Sequence, residues 1–456
     1  MEKEKVKDLT VGTPIKLMLL YSVPVLLGNI FQQIYNFADT IIVGQKLGEN
    51  SLAAVGCTGG MCFLVNGFVV GITSGFAVHV SQRFGARDYD GMRKSIFNAV
   101  FLWIVFTILV TGIAIGFSKP LLRLVDTPDS IMDEAQTYIV TIYAGIFAPT
   151  LYNAGACILR AVGDSRTPLY FLVISAVLNI GLDLLFIVNF NMGVFGAAVA
   201  TVIAQAVSGV LCIIYMHKKF EMLHIRKCDM KLDGHTIGIH CKIGLPMAFQ
   251  FSITAIGTIV MQRAINAFGE TKIAAFTASS KVEQLVMQMA GASGVTIANF
   301  AGQNMGACKY NRIRKGVWQW TLITAASAVL GAFIAVAFGR PLCGLFMKEK
   351  TAETMDAAML YLNTVTKYFI PLFLIFVFRN ALQGMGKPLM PLMAGVFELV
   401  ARSISAVILP KAYGFTGVCM INPSAWLAAS IPLFITFVVV MHNFKKKGYF
   451  DTDKKS

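Results

Sequence analysis

Long apolar stretches alternate with short polar loops along nearly the whole chain. Each stretch reaches about 20 residues, the length that a helix needs to cross the hydrocarbon of a bilayer. The pattern therefore predicts twelve membrane-spanning helices. They are placed at 16–44, 52–82, 95–117, 136–158, 168–188, 193–216, 241–265, 273–301, 316–338, 358–380, 389–410 and 416–442.

The second half of the chain repeats the first after about 221 positions. One loop motif occurs twice, as Gln82-x-x-Gly85-Ala86 and as Gln303-x-x-Gly306-Ala307. Because six helices per copy is an even number, both copies enter the membrane from the same side. The predicted fold class is an all-α integral membrane protein with two pseudo-symmetric six-helix lobes. We expect the lobes at 1–216 and 241–456, a cytoplasmic linker at 217–240, and a substrate path between the lobes.

Composition matters because a net charge of +15 would otherwise suggest nucleic-acid binding. With 56% hydrophobic and 14% charged residues, the 456-residue chain belongs in a bilayer. Its basic residues gather in the loops that face the cytoplasm if both termini do. We therefore predict a multi-pass protein of the cell (inner, cytoplasmic) membrane, with cytoplasmic termini and no nucleic-acid partner. The cytoplasmic basic residues include Lys3, Lys5, Arg83, Arg87, Arg93, Arg160, Lys309, Arg312, Arg379, Lys387, Lys454 and Lys455.

The predicted linker is rich in residues that can bind zinc. Their spacing matches no common structural zinc arrangement, so we predict a solvated linker and no metal site. The nine cysteines form no Cys-x-x-Cys pair and are interpreted as packing residues. The linker and its borders contain His217, His224, Cys228, His235, His240 and Cys241.

Small residues within two predicted spans indicate close helix packing. Gly67, Gly71 and Gly75 recur every four residues, as do Gly112 and Gly116. Glycine at this spacing lets helices approach closely in a membrane. We interpret both sets as structural.

Proline occurs at nearly equivalent places of the two copies, as Pro24 and Pro246 and as Pro149 and Pro371. Inside a span, proline removes a helical hydrogen bond and can bend the helix. Pro24 and Pro246 are candidate hinges of a moving bundle. Static kinks explain them equally well.

Charged residues inside predicted spans point to function, because a charge in the bilayer is costly unless it is paired or hydrated. In the first half these residues are Asp39 and Asp183. Asn179 shares a helix face with Asp183. Thr201 adds a hydroxyl if the sixth helix lies alongside. The four residues predict a small oxygen-rich pocket.

Several uses of that pocket stay open. Two carboxylates in a poorly hydrated site cannot both ionise easily, which suits a proton carrier. The same oxygens with a few waters could coordinate a sodium ion. Alternatively, Asp39 and Asp183 only hydrogen-bond neighbouring helices. Gln33 and Asn36, which form a row with Asp39 on the first helix, are further cavity-facing candidates.

In their order and spacing, these residues resemble the multidrug and toxic compound extrusion (MATE) transporters of bacteria over essentially the whole chain. The resemblance implies antiport, in which small organic cations or drugs are exported in exchange for protons or sodium by alternating access. It also implies that Asp39, Asn179, Asp183 and Thr201 form an amino-terminal cation site. We expect no enzyme activity, no cofactor beyond the transported ion, and a monomer in the lipid bilayer. The motifs are Tyr35-Asn36-x-x-Asp39-x-x-x-x-Gly44, the two Gln-x-x-Gly-Ala loops, Leu159-Arg160-x-x-Gly163-Asp164 and Asn179-x-x-x-Asp183.

The second half departs from the family pattern. Some members carry acidic coupling residues on the seventh and tenth helices, near places where this chain has Thr254 and Leu372. Other intramembrane charges occur instead. We interpret them first as a mutually neutralised structural network, and second as a substrate-facing or gating group. They are Lys281, Glu283, Lys367, Glu398 and Arg402.

The two copies also differ at the acidic pocket. At an offset of about 223, Asn179 aligns with Arg402 and Asp183 aligns with Ala406. Asp39 falls near Met261. We therefore expect ion coupling in the first lobe alone.

Two other classes of function fit less well. A flippase for a lipid-linked sugar or cell-wall precursor should need basic residues in both lobes, whereas the intramembrane bases fall in the second half. It remains the alternative. An enzyme is not indicated, because the chain has no His-Glu-x-x-His, Gly-x-Ser-x-Gly or phosphate-binding P-loop motif.

Overall fold

The computed structural model describes residues 7–125, 127–347 and 350–450, and it contains no strand among them. The start of the first predicted lobe and the end of the second lie outside the described residues. Four of the predicted cytoplasmic bases lie outside them as well. These bases are Lys3, Lys5, Lys454 and Lys455.

The first repeat consists of helices joined by short loops. Its α-helices are α1 (Pro14–Leu47), α2 (Glu49–Gly85), α3 (Tyr89–Leu124), α4 (Asp129–Ala144), α5 (Phe147–Ala161), α6 (Thr167–Asp183) and α7 (Gly193–Lys219). A π-helix, Leu184–Asn189, continues α6. Two short 3-10 turns, Glu221–Leu223 and Lys227–Asp229, follow α7 in the linker.

The second repeat has the same order of long helices. Its α-helices are α8 (Gly234–Asn266), α9 (Glu270–Gly306), α10 (Tyr310–Ala337), α11 (Gly339–Leu345), α12 (Ala352–Val365), α13 (Phe369–Gly384), α14 (Leu389–Cys419) and α15 (Ile421–Lys446). A 3-10 turn, Thr366–Tyr368, joins α12 to α13.

The described residues contain ten helical segments that are long and apolar enough to cross a membrane. The pair α4 and α5, which bends by 43° at a break, makes an eleventh. The predicted span 273–301 lies in α9, which has 37 residues and is not among these segments because side chains such as Lys281, Glu283 and Gln284 make it more polar. The predicted fold class, an all-α protein with twelve membrane-spanning helices in two lobes, is confirmed.

The duplication is visible in the backbone as well as in the sequence. Helices α2 and α9 both have 37 residues, and each follows a glycine in the left-handed region, Gly48 at φ 91° and Gly269 at φ 82°. The loops after these helices also match, because Arg87 and Cys308 have φ values of 57° and 56°. Non-glycine residues rarely adopt such values. The two copies therefore share their turns in detail.

Proline determines where the fourth and tenth spans break. Pro149 lies in the first turn of α5, and Pro371 lies in the first turn of α13. Proline suits that position because the first N–H groups of a helix have no intrahelical partner. These prolines therefore begin new helices instead of kinking continuous ones. Pro24 and Pro246 do lie inside α1 and α8, and their hinge role stays a prediction.

The internal contacts divide the chain into two compact units. Among the described residues, the first unit comprises Lys7, Asp8 and Leu27–Ser252. The second comprises Leu9–Leu26 and the residues from Ile253 onward. Helices α1 and α8 thus each contribute to both units. The lobes 1–216 and 241–456, and the linker 217–240 between them, are defined by the sequence repeat and stay a prediction.

One of the two glycine sets packs as expected. A Cβ atom at Gly71 would lie 2.5 Å from Ala248 Cα, and one at Gly75 would lie 2.4 Å from Gly244 Cα. These glycines let α2 and α8 touch through their backbones within the first unit. In contrast, a Cβ at Gly112 or Gly116 would meet no described atom within 4 Å, so these glycines make no close helix contact.

The linker is packed against the first unit and is not simply solvated. Phe220 and Leu223 are buried. Asp229 is buried as well, and it accepts a hydrogen bond from Arg93 Nε of α3 at 2.8 Å. Burial alone would raise the pKa of Asp229, but the hydrogen bonds from Arg93 and from the Arg226 backbone N–H hold it below its ordinary value. The ion pair therefore fixes the linker at neutral pH.

The histidines of the linker region do not gather around one point. His217 stacks on His224, while His240 is buried against Ser95 and the ring of His79. In the described part of the chain, no group of three His, Cys, Asp or Glu side chains is placed to hold a metal.

Candidate functional site

Two acidic side chains from different helices meet in the first unit. Asp39 lies in the second half of α1, and Asp183 is the last residue of α6, where the α-helix passes into the π-helix. Asp183 is fully buried, and Asp39 is half-buried. Their carboxyl groups are close neighbours and interact with each other. A hydrogen bond between two carboxyl groups forms only when one of them holds a proton.

Asn179 and Thr201 complete this group. With the Asn179 amide oriented to satisfy both of its ends, Nδ2 donates to Asp183 Oδ2 at 2.9 Å, and Oδ1 accepts from the Thr201 N–H at 3.1 Å. The Thr201 hydroxyl donates to the Ala197 carbonyl at 3.1 Å and accepts from the Tyr35 hydroxyl at 3.5 Å. The structure thus brings together the four residues of the predicted pocket. Their role in coupling stays a prediction.

The acidic pair retains acceptor atoms that no protein group satisfies. Oδ1 of Asp39 and Oδ1 of Asp183 are both buried, and neither has a hydrogen-bond partner among the described residues. A buried carboxylate oxygen without a donor is costly unless a proton or a cation neutralises it. The site is therefore chemically suited to take up either one.

A cavity of about 440 Å³ opens beside Asp39. Asn36 and Thr201 line it as expected. Gln33 does not line it and instead accepts a hydrogen bond from Asn36 at 3.2 Å, while the neighbouring Gln32 faces the cavity. Sequence reasoning missed several polar lining residues, namely Tyr35, Asn66, Tyr138, Asn153 and Gln205.

Of these missed residues, only Tyr35 had a usable signal in the sequence. It lies one helical turn before Asp39 and therefore shares its face of α1. The others come from helices whose rotation about their own axes the apolar pattern does not specify.

A second cavity, of about 320 Å³, lies within the second unit, and charged side chains line it. Glu398 accepts hydrogen bonds from Arg402 Nη2 at 2.8 Å and from Arg379 Nη2 at 3.2 Å. All three side chains are buried. Arg379, which was counted among the cytoplasmic bases, is thus a buried helix residue and not an exposed one. It lies inside α13, where Glu398 of α14 compensates its charge.

The other predicted charges of this half are distributed differently. Glu283 is buried in the cavity lining and accepts a hydrogen bond from the Tyr361 hydroxyl at 2.6 Å. That hydroxyl in turn accepts from Asn422 at 3.2 Å. Lys281 is half-buried and Lys367 is exposed, and neither forms an ion pair with a described residue. The predicted network thus includes Glu398 and Arg402 but neither lysine.

Thr254 and Leu372, the two neutral residues found near expected acidic positions, both line this second cavity. Their neutrality leaves Glu283 and Glu398 as the acidic residues among those found in the lining. The second cavity therefore has no carboxyl pair like that of Asp39 and Asp183.

A family model described as MatE matches residues 24–185 and again residues 246–408, once in each repeat. These matches cover more than half of the chain. The chain belongs to the MATE family. This MATE protein is 29% identical over 431 residues to "Probable multidrug resistance protein YpnP" of Bacillus subtilis (strain 168), across 93% of this chain and 91% of that protein.

Two further relatives extend the range of names. A protein named "FAD transporter" from Shewanella oneidensis is 23% identical, over 84% of this MATE chain and 85% of its own length. "Probable multidrug resistance protein NorM" from Thermotoga maritima is also 23% identical, over 90% and 88% of the two chains.

Solved structures confirm the fold of this MATE protein. One is described as the outward-facing conformation of a multidrug resistance MATE family transporter, and it superposes with a TM-score of 0.90 at 23% identity, covering 98% of this chain and all of that one. A MOP superfamily transporter from Pyrococcus furiosus superposes equally well, at 0.90. The protein is thus a multi-pass transporter of the cell membrane, and no catalytic family is indicated. The orientation of its termini stays a prediction.

Proposed function

We propose that this MATE protein is a secondary active antiporter that exports small organic cations in exchange for protons. The observation that carries the proposal is the close approach of the Asp39 and Asp183 carboxyl groups. Because a hydrogen bond between them requires one proton, the pair is suited to bind and release a proton as a unit. No cofactor is needed beyond the transported ion, and the working unit is a monomer.

Coupling requires only that the proton and the substrate favour different states of the transporter. A proton from outside would neutralise the pair and remove the negative charge that attracts an organic cation. Asp39 lines the first-unit cavity, so the loss of its charge would act directly on a cation there. Tyr35 and Tyr138 line the same cavity, and their rings can attract a cation through their faces. Alternating access would then release substrate outside and protons inside.

Sodium is the second candidate for the coupling ion. The unpartnered Oδ1 atoms of Asp39 and Asp183 and the Thr201 hydroxyl are oxygen ligands, which suit a hard cation. We prefer the proton because two neighbouring carboxyl groups can hold one between them without any further ligand, whereas a sodium ion would need additional oxygen ligands.

Drug-like cargo is supported by the relatives named above, two of which are called multidrug resistance proteins. Another relative is named as a transporter of FAD, so the names of the relatives do not agree on one substrate. A lipid-linked precursor is not favoured, because the cavity of the first unit presents the carboxyl group of Asp39. That group would repel a pyrophosphate.

The test is transport of a fluorescent organic cation, ethidium, in vesicles reconstituted with the purified protein, with pH and sodium gradients imposed separately. We expect the pH gradient to drive export and the sodium gradient alone to have no effect. Export driven only by sodium would replace the proton by sodium. Export that responds to neither gradient would contradict antiport.

The variant Asp39→Asn should lose gradient-driven export while it keeps the melting temperature of the wild type. The matched control is Asp133→Asn, which removes an exposed carboxylate of α4 and should transport normally. Unimpaired export by Asp39→Asn would overturn the proposed role of the acidic pair.

A further inference from the structure

Two arginines line the second-unit cavity and share a single carboxylate. Arg402 Nη2 lies 2.8 Å from Glu398 Oε1, and Arg379 Nη2 lies 3.2 Å from Glu398 Oε2. The arginine side chains are only 6% and 10% exposed. One carboxylate cannot neutralise two guanidinium groups, so this cluster keeps one positive charge in excess.

The two guanidinium groups also keep unused donors. Nε of Arg379 and Nε of Arg402 are buried and have no hydrogen-bond partner among the described residues. The fold makes room for Arg402, because a Cβ atom at Gly257 of α8 would lie 2.1 Å from its Nη1 atom. An ion pair that served only packing would be complete with one arginine. A second buried guanidinium with unused donors is costly inside a membrane protein and therefore indicates a ligand.

The second carboxyl group of this cavity, that of Glu283, forms no ion pair with either arginine among the described residues. Glu283 faces the same cavity, and its hydrogen-bond partner is the neutral hydroxyl of Tyr361. With both glutamates and both arginines ionised, the lining is neutral as a whole but presents positive and negative groups separately. Such a lining is complementary to a ligand that carries both charges. Phe276 and Trp426 add aromatic surface to it.

We propose that the second-unit cavity binds the carboxylate group of a ligand through Arg379 and Arg402. The planar guanidinium group donates to both oxygens of a carboxylate more effectively than other cations do. Glu398 shows that the spacing of the two arginines accommodates a carboxylate between them. Because Glu283 lines the same cavity, the ligand also carries a cationic group. This inference rests on the proposed function only in taking the ligand to be a transported substrate.

The test compares two probes that differ in a single group. Radiolabelled 4-(trimethylammonio)benzoate has a carboxylate and a fixed positive charge, and its methyl ester keeps the positive charge but has no carboxylate. Binding of both to the full-length protein is measured by equilibrium dialysis in detergent. We expect the wild type to bind the acid about tenfold or more tightly than the ester, as hydrogen bonds to a charged group suggest.

In the variants Arg379→Gln and Arg402→Gln, the affinity for the acid should fall close to that for the ester. Their affinity for the ester should stay nearly unchanged. The matched control is Lys281→Gln, which removes a base of α9 that does not line the cavity and should keep the full preference. Equal loss of both probes in the arginine variants would assign them a purely structural role and overturn the proposal.

Equal affinity of the wild type for the two probes would also overturn it, whether or not the arginine variants fold. The antiporter proposal is judged separately, because it depends on ion gradients and on Asp39. Gradient-driven export of ethidium without any preference for the acid would overturn only the proposed carboxylate site. A clear preference for the acid without gradient-driven export would overturn only the proposed antiport.

Discussion

The two cavities are built from equivalent positions of the repeat but carry different chemistry. Tyr138 lines the first cavity and Tyr361 the second, at an offset of about 223. Cys62 and Glu283 correspond in the same way at about 221. The duplication has therefore preserved two cavities, while substitution has changed the chemistry of their linings.

The fifth span of each copy shows the difference most clearly. Ser175 and Asn179 of α6 align with Glu398 and Arg402 of α14. At the acidic pair of the first unit, a neutral amide supports Asp183, and the atoms without partners are carboxylate oxygens. At the corresponding place in the second unit, the residues themselves are charged, and the atoms of Arg379 and Arg402 without partners are N–H groups. The first site thus has unpaired acceptors, and the second has unpaired donors.

The largest expected effect tests whether coupling belongs to the first unit alone. The variant Asp183→Asn removes the carboxyl group with which Asp39 is proposed to bind a proton, so gradient-driven export should fall to the level of empty vesicles. The matched change at the equivalent position, Ala406→Ser, should leave export intact. Both are measured with the ethidium assay in reconstituted vesicles. Loss of coupling in both variants would show that the two units share the task and would break the comparison.

The second effect concerns stability and belongs to the second unit. Glu398→Gln leaves Arg379 and Arg402 buried without a counter-charge in contact, which should destabilise the protein by about 3–5 kcal/mol. Ser175→Ala, the matched change in the first unit, removes one buried hydroxyl and should cost about 1 kcal/mol or less. Denaturant titration in mixed micelles measures both. The double variant Glu398→Gln with Arg379→Gln should recover part of the loss.

If Glu398→Gln proved as stable as the wild type, the arginines would be neutralised by other groups. The excess positive charge assigned to the cluster of Arg379, Glu398 and Arg402 would then be wrong. A destabilised single variant without recovery in the double variant would show that Glu398 acts through packing and not through charge.

The apolar pattern predicted the helices well because the bilayer requires long, uniform apolar runs. The second span, predicted at 52–82, is α2 at Glu49–Gly85. The acidic pocket was also predictable, since an intramembrane carboxylate needs a partner and Asn179 lies one turn from Asp183. Sequence spacing alone therefore located a group that the folded chain assembles from three helices.

The second cavity was less predictable because its partners lie on different helices. Arg379, at the end of the predicted span 358–380, was counted with the cytoplasmic bases since a base near the end of a span usually faces the cytoplasm. Only its contact with Glu398, on the next helix, explains its burial. Lys367 shows the opposite error. It was predicted to belong to the charged network inside the membrane, but it lies in the 3-10 turn Thr366–Tyr368 and is exposed. Helix breaks and helix rotation decide both cases, and neither follows from composition.

The smallest expected effect compares the two equivalent tyrosines directly. Tyr361→Phe removes the hydroxyl that donates to buried Glu283 and accepts from Asn422, so both lose a partner. An unsatisfied buried group of this kind should destabilise the protein by about 1–3 kcal/mol. Tyr138→Phe makes the same change in the first unit, where Cys62 stands at the place of Glu283, and should cost less. Denaturant titration of the two variants gives the difference. Equal losses would mean that Tyr361 contributes mainly through packing of its ring, and Glu283 would then no longer count as the separately held negative charge of the second cavity.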